Sequence, residues 1–273
     1  MSGKLYVVGT PIGNLSDFSP RGIETLRDVD FIAAEDTRVT VKLLNHFDIK
    51  KPMLSYYEHN KKEKGGDIIA RLLNGENCAL VSDAGMPAIS DPGEDLVKLC
   101  YENGIEVESV PGPSALVTAL AISGMKSGRF CFEGFLSVNK QSRRIHLNEI
   151  KDEKRTMIFY EAPHKLPATL KDMYSVMGDR KISLVRELTK LHEEVIHTTL
   201  KEASTFYLDN QPKGEFVLII EGQKEREKTV YTIEQAVKIA KEYMADGHSA
   251  STAARLAAED TGIKKGNIYK LLN

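Results

Sequence analysis

Short strand-like runs at residues 5–8, 31–34, 79–81 and 106–110 alternate with longer stretches whose apolar positions recur at helical spacing. Runs this short suit strands buried on both faces. Their alternation with helical stretches predicts right-handed crossovers and a parallel sheet. Side-chain chemistry marks the helix ends. Ser19-Pro20 offers a hydroxyl cap and a first-turn proline ahead of Ile23 and Leu26, and Asp91-Pro92 repeats the device ahead of Leu96, Val97, Leu99 and Cys100. Asn103-Gly104 then stops that helix.

Past Pro113 the rhythm continues, with 114–122 helical, 130–132 extended, 140–150 a polar helix, and 156–160, 182–185 and 216–220 strands. The expected fold class is therefore α/β, with two α/β domains at 1–111 and 112–222 and a third segment at 223–273. Residues 223–228 are charged and polar without an apolar side chain, so they read as a solvated linker. Beyond them, Ile233, Ala236, Val237, Ile239, Ala240 and Tyr243 follow helical spacing. An alanine-rich helix at 249–258, a break at Thr261-Gly262-Ile263 and a last helix at 264–272 complete a small all-α, helix-turn-helix-like unit. Lys264, Lys265, Asn267 and Lys270 fall on or near that last helix, which serves either as part of a packed bundle or as a nucleic-acid contact.

A net charge of −2 with 28% charged residues removes any global basic field, so contact with nucleic acid must use local patches. Lys61, Lys62, Lys64, Lys140, Arg143 and Arg144 are such patches, or simply solvated helix faces. Three well-separated cysteines read as reduced core thiols, and no apolar run approaches a membrane span or a signal-peptide core, so a cytoplasmic, non-membrane protein is expected. His192 and His197 stand five residues apart, which on a helix turns them about 140° from each other, and no metal site is expected.

The chemistry concentrates where strands run into glycine-proline turns. Gly9-Thr-Pro-Ile-Gly13, the stretch from Ser82 to Gly93, and Pro111-Gly-Pro-Ser114 each follow a strand-like run, where an open α/β sheet holds its ligands. None matches a dinucleotide or phosphate-loop fingerprint. Proline beside glycine leaves rigid carbonyls and apolar walls, better suited to an adenosine or a cation than to pyrophosphate. Asp83 can attract a sulfonium charge or accept from a ligand hydroxyl, or merely hold its turn, and Ser114 can contact a ligand or merely cap a helix. Polar clusters at Glu35-Asp36-Thr37-Arg38, Tyr160-Glu161-Ala-Pro-His164 and Arg186-Glu187-Leu-Thr189-Lys190 stand at three further strand ends.

The order and spacing of these runs, with Ala33-Ala-Glu-Asp-Thr-Arg38, Val81-Ser-Asp-Ala-Gly85, Phe132-Glu-Gly-Phe135 and Phe159-Tyr-Glu161, strongly resemble the tetrapyrrole-methylase superfamily, in its branch that acts on ribosomal RNA. The resemblance implies two α/β domains with S-adenosylmethionine in the cleft between them, usually in a homodimer. It implies methyl transfer to a cytidine ribose 2′-oxygen in the 16S ribosomal RNA of the 30S subunit. The cofactor contacts it implies are Pro11, Ile12, Asp83, Gly85, Met86, Ser114 and Ala115, with Tyr160, Leu188, Gly214 and Glu215 from the second domain.

A ribose hydroxyl is a poor nucleophile at neutral pH and needs in-line placement and a proton acceptor. Glu35, Asp36, Glu161 and Glu187 are the candidate acids, with an acid of the 35–38 loop favoured and no spacing rule selecting one. Arg38, Arg186 and Lys190 would grip phosphates, and His164, Arg143 and Arg144 would add substrate contacts. Two other readings stay open on the residues alone: a C-methyltransferase of tetrapyrroles, and a non-catalytic nucleoside sensor whose last unit binds DNA.

Overall fold

The computed structural model describes residues 2–224 and 231–272, so residues 225–228 of the expected linker lie outside the described residues. Two compact units, Met1–Gln223 and Lys224–Asn273, divide the chain. The first unit holds both five-stranded sheets.

In the first sheet, β1 (Lys4–Val8), β2 (Phe31–Ala34), β3 (Met53–Ser55), β4 (Cys78–Val81) and β5 (Glu106–Val110) run in the order β3-β2-β4-β1-β5, every pairing parallel. Helices α1 (Pro20–Asp28), α2 (Thr37–His46), α3 (Lys61–Leu73) and α4 (Gly93–Glu102) connect its strands. Alternate side chains feed two cores: Leu5, Phe31 and Leu80 pack with Ile68, Leu72 and Leu96 on one face, while Val8, Ile32 and Val81 pack with Leu26 and Leu44 on the other. The Ser19 hydroxyl caps α1 by accepting from Gly22 N. At Asp91-Pro92 the device differs from the expected one. Pro92 takes the cap position without a side-chain bond, and the Asp91 carboxylate instead pins the preceding loop by accepting from Ala88 N, Ile89 N and Gly93 N.

A helix α5 (Ala115–Ile122) leads to the second sheet, formed by β6 (Phe130–Phe135), β7 (Thr156–Glu161), β8 (Lys181–Arg186), β9 (Glu194–Thr199) and β10 (Phe216–Ile220). Its order is β6-β7-β10-β8-β9, with β6 and β7 parallel and the other pairings antiparallel. Helices α6 (Lys140–Ile150), α7 (Leu166–Met177) and α8 (Leu200–Asp209) belong to this half. Met157, Phe159, Leu184 and Leu218 face Leu147, Leu170 and Ala203, while Ile158, Val185, Val217 and Ile219 face α5 and Ile12 from the loop after β1. That second cluster fastens the first sheet's loops to the second sheet, since each fully buried Ile, Leu or Val contributes about 1.5–3 kcal/mol.

The C-terminal unit packs α9 (Ile233–Ala245), α10 (Ala250–Thr261) and α11 (Lys265–Lys270) around Ala236, Ala240, Ala253, Ala254, Ala257 and Ile268. Small alanine side chains let these helices approach closely. Thr232 and Gln235 close a capping box on α9, and Gly262, at φ 72°, ends α10 in the left-handed region.

Candidate active site

The three glycine-proline loops converge because they are tied backbone to backbone. Gly9 N donates to Val110 O at 3.0 Å, Thr10 N donates to Gly85 O at 2.9 Å, and Gly85 N returns a bond to Thr10 O at 3.2 Å. A side chain at Gly9 would place its Cβ 2.7 Å from Gly112 Cα, and one at Gly112 would sit 2.6 Å from Gly9 O. Both positions therefore need glycine.

Against these loops lies a cleft of about 450 Å³ walled on its other side by the second sheet. Ile12, Asp83, Gly85, Met86, Ser114 and Ala115 line it from the first half, and Tyr160, Leu188 and Glu215 from the second. Pro11 and Gly214 do not line it. Gly214 stands behind it, at φ 84°, where a Cβ would lie 2.5 Å from Glu187 Cγ. Ser114 occupies the cap position of α5 but makes no cap bond. The Tyr160 hydroxyl oxygen takes over that duty, accepting from Leu116 N at 3.1 Å. Ser114 is thus left to face the cleft.

Two carboxylates enter from adjacent strand ends. Glu35 follows β2 and Asp83 follows β4, and the two are crossed: Asp83 N donates to Glu35 Oε2 at 3.3 Å and Asp36 N donates to Asp83 Oδ1 at 3.1 Å. Both line the cleft. Burial pushes the Glu35 pKa up, opposed by the Asp83 amide and reinforced by the charges of Asp83, Asp91 and Asp36. Burial likewise raises Asp83, against the lowering effect of the Asp36 amide.

The other acids of the candidate set are committed elsewhere. Asp36 caps α2, accepting from Arg38 N at 2.8 Å and meeting the Arg38 guanidinium at 2.6 Å, and these bonds hold its pKa down to about 2. An acid so easily ionised is a weak proton acceptor. Glu161 follows Tyr160 at the end of β7 and also lines the cleft, but its carboxylate is taken up by neighbouring donors. That buried group accepts from Thr169 Oγ1 at 2.5 Å and Ala162 N at 2.9 Å, with Lys165 Nζ at 3.6 Å. Glu187 accepts from Glu215 N and from Lys190 Nζ, both at 3.0 Å, and its pKa is lowered, first by the amide and then by the lysine. Burial works against the Lys190 charge, but its bonds to Glu215 and Glu187 outweigh it and raise its pKa.

Among the expected substrate contacts, Arg143 is a correction. Its guanidinium is buried and donates to Asp172 Oδ2 at 2.6 and 2.9 Å and to the carbonyls of Ser137 and Val138, so it locks α6 to α7 and cannot meet a substrate. Arg144, its neighbour, is exposed, as is His164. Arg186 pairs with Glu194 across β8 and β9 at 3.0 Å, and the Arg38 side chain keeps 88% of its surface exposed despite its bond to Asp36. His197 lies on β9 rather than on a helix, its Nδ1 3.0 Å from Ser183 Oγ. Among the described residues no group of three or more His, Cys, Asp or Glu is arranged to hold a metal.

Part of the wall was not singled out residue by residue from the sequence, although some of it lies inside the loops expected to hold a ligand. Ile89, Ser90 and Asp91 line the cleft from the loop before α4, and Phe135, Pro163, Val185 and Val217 line it from the second half. The two valines were visible as strand residues; their facing was not. Phe135 closes a quoted run of residues, yet nothing in its spacing marked it as a wall.

The family model described as tetrapyrrole (corrin/porphyrin) methylases matches residues 4–204, which take in both sheets except β10. The chain belongs to the tetrapyrrole methylase family. Within it, a protein of Synechocystis sp. named ribosomal RNA small subunit methyltransferase I is 47% identical over 98% of this chain and 97% of its own length. A Haemophilus influenzae protein of the same name is 46% identical over 99% of this chain and 96% of its own length. A third, from Thermotoga maritima, matches over its entire length at 48% identity while covering 81% of this chain. Solved tetrapyrrole methylases share the fold: a Thermus thermophilus uroporphyrin-III C-methyltransferase aligns with TM-score 0.58 at 15% identity, over 80% of this chain and 94% of that one. Cobalt precorrin-4 methyltransferase aligns with TM-score 0.59 at 18% identity, over 80% of this chain and 94% of its own.

Proposed function

We propose that this chain is an S-adenosylmethionine-dependent methyltransferase that modifies the ribose 2′-hydroxyl of a cytidine in 16S ribosomal RNA, within the 30S subunit. The observation that carries the reading is a pair of carboxylates, the half-buried Glu35 and the more exposed Asp83, at an apolar-walled cleft. Relatives named for ribosomal RNA methylation support the substrate class. The donor set fits the cofactor: carboxylates for a sulfonium and an amine, the Ser114 hydroxyl for a polar edge, and Ile12, Leu188 and Val217 for an adenosine. When bound, S-adenosylmethionine supplies an electrophilic methyl group.

The chain's own residues do the rest. Glu35, whose pKa is raised, takes the ribose proton, and Asp83 is held beside it by the Asp36 amide so that their relative position is fixed. Ile12, Leu188 and Val217 exclude water. Arg38, Arg144 and His164 stand exposed and serve phosphate contacts, while Arg186, Lys190 and Glu187 form a charged brace around the turn that carries Leu188. Residues 1–111 and 112–222 act as the two catalytic domains, and the helical unit from 223 onward adds RNA affinity through Lys264, Lys265 and Lys270. The proposed working form is a cytoplasmic homodimer; among the described residues no helix is long and apolar enough to cross a membrane.

The test is transfer of tritiated methyl from S-adenosylmethionine to 30S subunits lacking their native methylation, followed by nuclease digestion and nucleoside mass analysis. Label in 2′-O-methylcytidine is the expected result. Label in any other nucleoside, or none with cofactor bound, overturns the reading.

A further inference from the structure

Two exposed apolar groups line the cleft from opposite halves. Phe135, at the end of β6, is 53% exposed, and Ile89, in the loop before α4, is 44% exposed; both line the cleft. Their neighbours lie close together: a Cβ built on Gly134 would come within 3.4 Å of Ser90 Oγ.

Neither exposure is accidental to the backbone. β6 carries a bulge, since Phe132 pairs with Ile158 while Gly134, two residues on, pairs with Phe159, one residue on. Without that extra residue strand alternation would put Phe132 and Phe135 on opposite faces. With it, Phe135 comes opposite Tyr160 on the cleft side, and Phe132 and Phe135 both contact the Tyr160 ring, with centroids 4.9 and 5.5 Å away. Gly134 absorbs the distortion at φ 64°. On the opposite side, Ala88 and Ser90 adopt φ 66° and 67°, left-handed conformations that non-glycine residues rarely hold, fixed by three amides donating to Asp91. Strain of this kind persists only where surrounding structure enforces it, and here it presents an isoleucine to solvent.

We propose that Ile89 and Phe135 form a clamp that receives the base of the target nucleotide, with Phe135 as the stacking platform. This rests on the RNA reading above. An A-form stem displays its 2′-hydroxyls in a shallow minor groove. A ribose carried into a recessed cleft to reach the half-buried Glu35 therefore brings its nucleotide out of the stack, and the extruded base gains from a flat apolar surface that replaces the lost stacking. Phe135 supplies that surface at the mouth of the same cleft that holds Glu35. The Tyr160 ring, tilted 58° against it, and Lys165 Nζ over one face at 5.4 Å from its centroid fix the ring in place.

Phe135→Ala, Phe135→Leu and Phe135→Trp separate this role from cofactor binding. Methyl transfer is measured with 30S subunits and S-adenosylmethionine varied in turn, and S-adenosylhomocysteine affinity is measured by calorimetry. Expected for Phe135→Ala and Phe135→Leu is a loss of about 10- to 100-fold in kcat/KM for 30S, carried mainly by KM, from the loss of one stacked base. Homocysteine-product affinity stays within about twofold, which also reports folding, and Phe135→Trp retains near wild-type values. Cofactor affinity falling in step with RNA turnover would assign the ring to the adenine instead and overturn the clamp, as would an unchanged KM for 30S. If wild-type protein transfers no methyl to 30S RNA, the functional reading falls and the clamp with it.

Discussion

The two sheets put acids at corresponding places, the ends of their strands, and treat them oppositely. At the first sheet Glu35 and Asp83 each take a single backbone donor, face the cleft and are pushed up by burial. At the second sheet Glu161 and Glu187 are wrapped in donors, Glu161 by a hydroxyl, an amide and a nearby lysine and Glu187 held low by an amide and a lysine. Facing the cleft is therefore not enough: a carboxylate at a strand end suits the role of base only when its donors are few enough to leave an oxygen free for the substrate.

Substitutions sharpen that contrast, and the largest effect falls on Glu35. Glu35→Gln should lower methyl transfer by about 100-fold or more, the usual scale of general base catalysis, while Glu187→Gln and Asp36→Asn lose much less. Wild-type kcat/KM should fall on acidification with a midpoint above 4.5, the ordinary value for glutamate, and this limb should vanish in Glu35→Gln. Equal losses at Glu35 and Glu187 would break the comparison.

Next comes the second half's buried pair. Asp172→Ala leaves the Arg143 guanidinium uncompensated and should cost about 3–5 kcal/mol in urea unfolding, whereas Arg144→Ala should change stability little. Tyr160→Phe removes the acceptor for Leu116 N at the start of α5 and should cost about 1 kcal/mol by the same measurement.

The smallest expected effect is a gain. Because burial lifts the folded pKa of Glu35 above its unfolded value, ionised Glu35 opposes folding once pH rises past the unfolded value. Glu35→Gln should therefore melt at a slightly higher temperature than wild type at neutral pH, with the difference shrinking to nothing below pH 4.5. A lower melting temperature at neutral pH would refute the assigned direction.

The first sheet was largely legible in the sequence because its information is local. A short apolar run followed by glycine and proline fixes both a strand and the turn that ends it, and three such turns gave most of the cleft's floor. What separated Glu35 from its neighbour Asp36 was not local: cap geometry consumed one and left the other. The second sheet was harder to read. Its antiparallel order leaves no helix between β8 and β9, so the β9 segment passed only as a pair of histidines. Arg143 looked like any charge on a polar helix, since its partner Asp172 lies 29 residues away and only the packing of α6 on α7 brings them together. The bulge that re-aims Phe135 depends on register with β7, which no single strand reveals.

The contact between Gly9 and Gly112 sets which wall can give way. With the backbones of two loops in direct contact and a third joined by paired amide bonds at Thr10 and Gly85, the floor moves as one piece or not at all. With that floor fixed, any widening of the cleft falls to the opposite wall, so product escape through the mouth should be timed by the segment around Phe135 and Pro163. Stiffening that segment would slow turnover without touching a single group that handles a proton.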